Sequence, residues 1–470
     1  MSAVRSTTLL RNGRVHTPAH PSATAMLVSG GRIAWLGDES TATTHVDTAD
    51  AVVDLGGALV TPAFVDAHVH VTETGLAREG VDLTGCASLS ELLSRVEHHA
   101  SSRPGQAVLG HGWDERSWPE GRPPTRAEVD RASGGAVAYL SRIDVHSAVV
   151  STPLLDAAPE ITRAAGFADG LVRRDAHHLA RRATRDRLTP QHRTGLQRTT
   201  LHHAAAAGIG AVHEIGAPHI AGTRDLTALL EVAGDEGVPE VFAYWGAIGD
   251  GVETAVRLGC AGAAGDLNID GSLGSRTARL SEPYTDAADQ AGFLYVDLDE
   301  ATEHVVACTR ADIQAGFHCI GDEAVRVGVT AIERAAERCG VAEVVAARHR
   351  LEHVEMITPE LVAVMARLGV VASVQPRFDE YWGGDTGMYA TRLGVERAQT
   401  MNPFASMARA GVPMALGSDS PVTPMGGWEM VRAAVAHHRP AERLAVGAAF
   451  EAATRGGWRA ARVHDAGVLA

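Results

Sequence analysis

The strongest chemical signal in the chain is Val65-Asp66-Ala67-His68-Val69-His70. In a β-strand, residues two apart face the same side. His68 and His70 then point together at the end of the apolar run Ala58–Val65, and two imidazoles so placed can hold one metal ion. Three further polar residues close short apolar runs in the same manner. His318 follows Ile313–Phe317, His353 follows Arg350-Leu351-Glu352, and Asp419 follows Ala415–Ser418. Singly, each reads as an ordinary polar residue at a strand end. Together, imidazole and carboxylate are the usual nitrogen and oxygen ligands of a Zn²⁺-type site.

Other chemistries have weaker support. Cys319 adjoins His318 but faces the opposite side of a strand, so it reads as a small buried residue and not as a nucleophile. Ser272 lies in GSLGS without the strand-turn-helix elbow of a serine hydrolase. The glycines at 271 and 274 with Arg276 suggest a phosphate cradle, yet no lysine follows them. Trp113 with Asp114 offers an aromatic wall and a carboxylate, or a lid packed through its tryptophans. Asp144 and His146 end another apolar run, and Tyr381-Trp382 follows Gln375-Pro376. His213-Glu214 forms a strand-end pair with no assigned role. The paired histidines 98–99, 177–178, 202–203 and 437–438 read as solvated surface residues.

These residues need elements that bring them together. The first 60 residues read as short strands, Thr7–Arg11, Ala25–Val28, Arg32–Leu36 and Ala51–Leu55, separated by Asn-Gly and Gly-Gly turns. Beyond them, apolar runs alternate with helical patterns. The runs include Ala136–Leu140, Ile209–Val212, Val241–Tyr244, Val370–Val374 and Pro413–Leu416; the helical segments include Leu89–Ala100, His192–Ala207, Ala301–Ala311, Val325–Arg338 and Pro359–Leu368. Such alternation over this length predicts a parallel α/β architecture, a (β/α)₈ TIM-type barrel in preference to an open sheet. The expected division is a small β-domain over 1–60, a barrel over 61–445 with a lid-like insertion at 76–200, and a C-terminal end over 446–470. In such a barrel the strand C-termini converge on one mouth.

Composition excludes several classes. The chain has 470 residues and a net charge of −15, and every one of its 42 basic residues is arginine. A nucleic-acid partner is disfavoured, because phosphate binding wants a basic face. No run of 18 apolar residues suggests a membrane span, and the N-terminus has no apolar core of a secretory signal, so a cytoplasmic location is expected. The five cysteines form no CxxC pair, which disfavours a disulfide framework or a cysteine zinc site. The expected partner is a small-molecule substrate. A homo-oligomer is compatible with the sequence, which does not fix the oligomeric state.

The blocks TPAFVDAHVH (61–70), HGWDERSWPEGRPPTRAEVD (111–130), DGSLGSRTARLSEPYTD (270–286), FHCIGDEAV (317–325), RLEHVEMITPELV (350–362), ASVQPRF (372–378) and LGSDSPV (416–422) resemble, in order, the amidohydrolase superfamily. The branch is the one that includes N-substituted formamide deformylase. The resemblance implies a metal-bearing barrel with a small β-sandwich built from both chain ends. It also implies hydrolysis of an amide-type C–N bond in a small non-peptide substrate. Many members carry a lysine four residues before the DG of DGSLGSRTA, carboxylated to bridge two ions. Asp266 stands there, and no lysine exists to replace it. By resemblance to one-metal members, His68, His70, His318 and Asp419 hold one divalent ion, expected to be zinc, with His353 at the reactive water or substrate oxygen. Bridging by Asp266 stays open. The resemblance also places Asp144, His146 and the loop carrying Asp270 and Arg276 near the substrate. Asp419 is the expected proton carrier, with His353 or His318 stabilising the oxyanion. Deamination or cyclic imide hydrolysis on the same site, and a non-catalytic ligand-binding barrel, are the alternatives. Family members usually continue past Ala470 into further sandwich strands, so the sequence reads as truncated or its small domain as minimal.

Overall fold

Hairpin glycines and short apolar runs dictate the N-terminal strands: β1 Thr7–Arg11, β2 Arg14–Val15, β3 Ala25–Ser29, β4 Arg32–Gly37, β5 Ala51–Asp54 and β6 Leu59–Val60. The computed structural model describes residues 6–470. They divide into two units, one reaching Phe64 and including Val463–Ala470, the other spanning Val65–Arg462. In the first unit the sheet order is β4-β3-β1-β5, with β2 and β6 paired separately in parallel. Gly30 and Gly31, with φ of 57° and 76°, make the β3–β4 turn, a conformation that favours glycine. Leu9, Ala25 and Leu27 form one small core, and Val15, Ala23 and Met26 form another against which Leu469 packs.

The second unit begins with β7, Phe64–Val69, which is buried at every position. The insertion follows with β8 Val81–Asp82, β9 Val108–Trp113, β10 Ala138–Arg142, β11 Ser147–Val150, β12 Phe167–Ala168 and β13 Leu171–Arg173. The chain then continues through β14 Ile209–Gly216, β15 Glu240–Trp245, β16 Gly262–Ala263, β17 Gln314–Cys319, β18 Arg350–His353, β19 Val371–Val374 and β20 Met414–Leu416. Strands β7 and β14 to β20 form one eight-stranded sheet in the order β20-β19-β18-β17-β16-β15-β14-β7, and its laddered pairs from β14 to β20 are all parallel. Between β20 and β7 the gap is bridged beyond the strand ends. A parallel bridge joins Val69 to Ser420, the Asp419 N–H donates to the His68 carbonyl at 2.8 Å, and the His70 N–H donates to the Ser420 carbonyl at 3.0 Å. Helices Thr223–Val232, Gly251–Leu258, Leu298–Arg310, Asp322–Cys339 and Pro359–Leu368 follow successive strands. The architecture is a parallel, nearly closed α/β barrel.

The insertion carries its own sheet, ordered β12-β13-β11-β10-β9-β8. Its core includes Leu83, Leu92, Val96, Trp113, Trp118 and Val129. Two features differ from the sequence reading. The run Ala58–Val65 divides at Thr61–Ala63 into β6 and the start of β7, because Pro62 cannot donate to a ladder. Ala136–Leu140 joins the inserted sheet and not the barrel. Among the described residues, no helix is long and apolar enough to cross a membrane.

Candidate metal centre

The barrel's closure sets the centre of the site. Asp66, His68 and His70 alternate along β7 and just past its end, on one side of the strand. Asp66 accepts from the N–H and the hydroxyl of Ser418, at 2.8 and 2.6 Å, and so ties the segment after β20 to β7. Asp419 is delivered beside both histidines, its Oδ1 lying 3.4 Å from His68 Nε2 and 3.2 Å from His70 Nε2. His353 and Asp419 both have left-handed backbones, with φ of 70° and 53°. Such strain in non-glycine residues concentrates at functional sites.

Asp266 enters from the segment after β16. Its Oδ1 lies 3.6 Å from both His68 Nε2 and His318 Nδ1, and its Oδ2 lies 3.3 Å from His70 Nε2. Three groups of ligand-type atoms therefore converge: His68, His70 and Asp266; His68, His353 and Asp419; Asp266, His318 and His353. Within them, His68 Nε2, His318 Nδ1 and Asp266 Oδ1 are buried without a hydrogen-bond partner. Orphaned polar atoms in a protein interior are costly. A divalent ion satisfies them, so the donor set fits one.

A hydrogen bond on the outer side of each ring sets its orientation. His68 Nδ1 faces Glu352 Oε2 at 2.8 Å, His70 Nδ1 faces the Ile215 carbonyl at 2.9 Å, and His353 Nδ1 faces Gln375 Oε1 at 2.8 Å. For His318 the roles reverse, with Nε2 facing the Gly271 carbonyl at 3.2 Å. In every case an acceptor takes the N–H of one nitrogen and turns the other nitrogen toward the centre. Glu352 is in turn held by Arg350, whose Nε donates at 2.5 Å. Burial pulls His318 down, and Asp266 more than reverses this, leaving it up at about 9. His70 is likewise raised, burial being outweighed by Asp266 and Asp419. Burial, followed by the nearby charges of His318 and His68, lowers His353 to about 3.

Around the centre, Asp144 and His146 line a cavity with His318, His353, Asp419, Glu355, Phe378 and Trp382. Asp144 accepts from Ser272 and Ser275 at 3.0 and 2.7 Å and pairs with Arg142 at 3.0 Å. Four other expected residues are engaged with other partners. Trp113 is buried in the core of the insertion, its indole N–H donating to the Leu140 carbonyl, so it packs and does not wall the cavity. Asp114 pairs with Arg116 and Arg142. Asp270 is fully buried and accepts the N–H groups of Arg279, Ile320 and Gly321, which shapes the loop and leaves its carboxylate occupied. Arg276 pairs with Asp286 at 2.8 Å. The expectation of surface histidines also fails at three positions. His177 and His437 are buried, and His178 lines a cavity beside Asp266. Sequence reasoning missed Glu352, Gln375 and Arg181. Glu352 and Gln375 stand in the quoted blocks beside the ligand-type residues, and Arg181 has no local signal.

The model of the amidohydrolase family matches residues 51–470. The protein LONG AFTER FAR-RED 3 of Arabidopsis thaliana is 26% identical over 469 residues, covering 91% of this chain and 77% of that protein. N-substituted formamide deformylase of Arthrobacter pascens is 33% identical over 148 residues, 31% of this chain and 27% of that enzyme. The structure of a metal-dependent hydrolase from Pyrococcus furiosus superposes with a TM-score of 0.76 at 28% identity, covering 98% of this chain and 96% of that one. A family match over most of the chain, on a barrel whose strand ends gather histidines and carboxylates, has one consequence: the chain belongs to the amidohydrolase family.

Proposed function

We propose that this protein is a metal-dependent hydrolase that cleaves the C–N bond of an amide in a small non-peptide substrate. The observation that carries this reading is the convergence of the orphaned atoms His68 Nε2, His318 Nδ1 and Asp266 Oδ1. His68, His70, Asp266, His318, His353 and Asp419 would hold the metal, and zinc suits this nitrogen and oxygen set. Such an ion, once bound, lowers the pKa of water and polarises a carbonyl. Asp419 reaches the centre from the closing segment and is the residue suited to take a proton and return it to the leaving nitrogen. His353, held by Gln375 and kept neutral, is suited to the substrate oxygen.

The absence of lysine favours a single ion. A specific observation favours two: the first and third ligand groups share only Asp266, which presents Oδ1 to both His68 and His318 and Oδ2 to His70. Asp266 thus supports a bridging role at the position where many relatives carry lysine. Elemental analysis of dialysed protein tests this, with two divalent ions expected per chain and one in Asp266→Asn. A single ion in the wild type rejects the bridge. An intact chain that retains no ion and hydrolyses nothing in a panel of formamides, cyclic imides and amino-substituted rings rejects the enzyme reading. Ammonia release confined to the amino-substituted rings reassigns the chemistry to deamination.

A further inference from the structure

A second cavity adjoins the metal centre. It is lined by His70, Asp266, Asn268, His146, His178, His219, Arg181 and Glu73, among others. Both cavities carry carboxylates, Glu73 and Asp266 here and Asp144 and Glu355 in the aromatic one, but an arginine lines this one alone. Glu73 is neutralised by Arg185. Arg181 forms no ion pair of its own, although Glu73 is held down by its charge as well as by that of Arg185. Among the described residues, the buried arginines are Arg142, Arg181, Arg185, Arg350, Arg377 and Arg392. All except Arg181 pair with a carboxylate. Arg181 donates from Nη2 to the Val145 carbonyl at 2.6 Å, while its Nε is buried with no partner. His178 Nδ1 is likewise buried and unpartnered. A buried guanidinium with an open N–H and no ion pair of its own favours an anionic acceptor. The cavity volume is about 30 Å³. A water needs about 10–15 Å³, so the space holds the two oxygens of a carboxylate.

We infer that Arg181 and the histidines around it form a carboxylate subsite, so that the substrate carries an anionic group on one side of the scissile bond and an apolar group on the other. The inference rests on the proposed hydrolase reading for the word substrate, and on Arg181 alone for the anion. The apolar end lies toward Phe378 and Trp382, and the carboxylate lies beyond His70 and Asp266. Val145 has φ of 49°, and its bond from Arg181 fixes the turn that presents His146 to both cavities.

Binding, and not turnover, tests the subsite. The probes are 3-phenylpropionate and its neutral isostere 3-phenylpropanamide, titrated calorimetrically into the metal-loaded full chain at pH 8. The carboxylate is expected to bind at least about 10-fold more tightly, as a charge-assisted hydrogen bond implies. Arg181→Gln keeps an N–H donor but removes the charge, and should abolish the preference. Arg181→Lys should keep part of it. Equal affinities in the wild type overturn the inference even if neither variant folds. Preference that persists in Arg181→Gln overturns it too, because the metal then holds the carboxylate. An Arg181-dependent preference in a chain that cleaves no amide supports the subsite and rejects the C–N bond reading alone.

Discussion

Glu352 shows how one side chain can serve both the fold and the site. It is fully buried between Arg350 and His68. Burial works against its charge, but the Arg350 guanidinium and His68 hold it far below the ordinary carboxylate range. Glu352→Gln removes the charge and leaves Arg350 buried and uncompensated. Breaking a buried pair in this way costs about 3–5 kcal/mol. It also releases the His68 ring, and loss of such a partner lowers metal affinity by about 10–100-fold. Urea melts and chelator competition on the same sample check both effects; unchanged stability would show that the pair is not the anchor. At Asp419 the expectation concerns rate. Asp419→Asn keeps a weakly coordinating oxygen but accepts no proton near neutral pH, so kcat should fall at least about 10²-fold even with excess metal. Near wild-type turnover in a metal-loaded variant would move the proton to His353. The histidines and Asp419 were legible because each ends an apolar run. Glu352 was not singled out, since one carboxylate inside a strand signals nothing until the fold places His68 2.8 Å away.

At the scale of elements, the site depends on how closely β7 and the segment after β20 approach. Gly417 makes that approach possible. A Cβ there would lie 2.7 Å from both the His68 Cβ and the His68 backbone nitrogen. Neither is the end of a flexible side chain, so the strand would have to move. Gly417→Ala should weaken metal binding at least about 10-fold by displacing a ligand, as loss of an orienting partner does. Gly447→Ala, with nothing within 4 Å of its added Cβ, is the control. Equal metal affinity in both variants would show that the contact is slack. The longer barrel strands were readable from sequence because runs such as Val241–Tyr244 and Val371–Val374 are apolar and flanked by helical patterns. Strand β16 was not, because Gly262–Ala263 is only two residues long. That short strand leads to Asp266, which explains why Asp266 was found through its place in a motif and not through an apolar run.

For the whole molecule, the parallel α/β barrel followed from where helical and apolar patterns alternate. What the insertion packs against could not be read that way, since Trp113 fits a cavity wall as well as a core. The structure buries it, 1% exposed, among Leu83, Val108 and Leu140 in a core that contains none of the metal-ligand candidates. Its carbonyl also accepts the Ile143 N–H at 3.0 Å, at the base of the turn that carries Asp144 and His146. Trp113→Ala should therefore cost about 3–5 kcal/mol through the cavity it opens. The metal ligands stand on the barrel, so metal content should stay at the wild-type value. The turn it supports should loosen, and binding of 3-phenylpropanamide should weaken because His146 and Asp144 line the aromatic cavity. Thermal melts, elemental analysis and calorimetry on one preparation separate these effects. Loss of metal together with stability would show that the insertion holds the centre together. A melt unchanged from wild type would show that Trp113 is not part of the core.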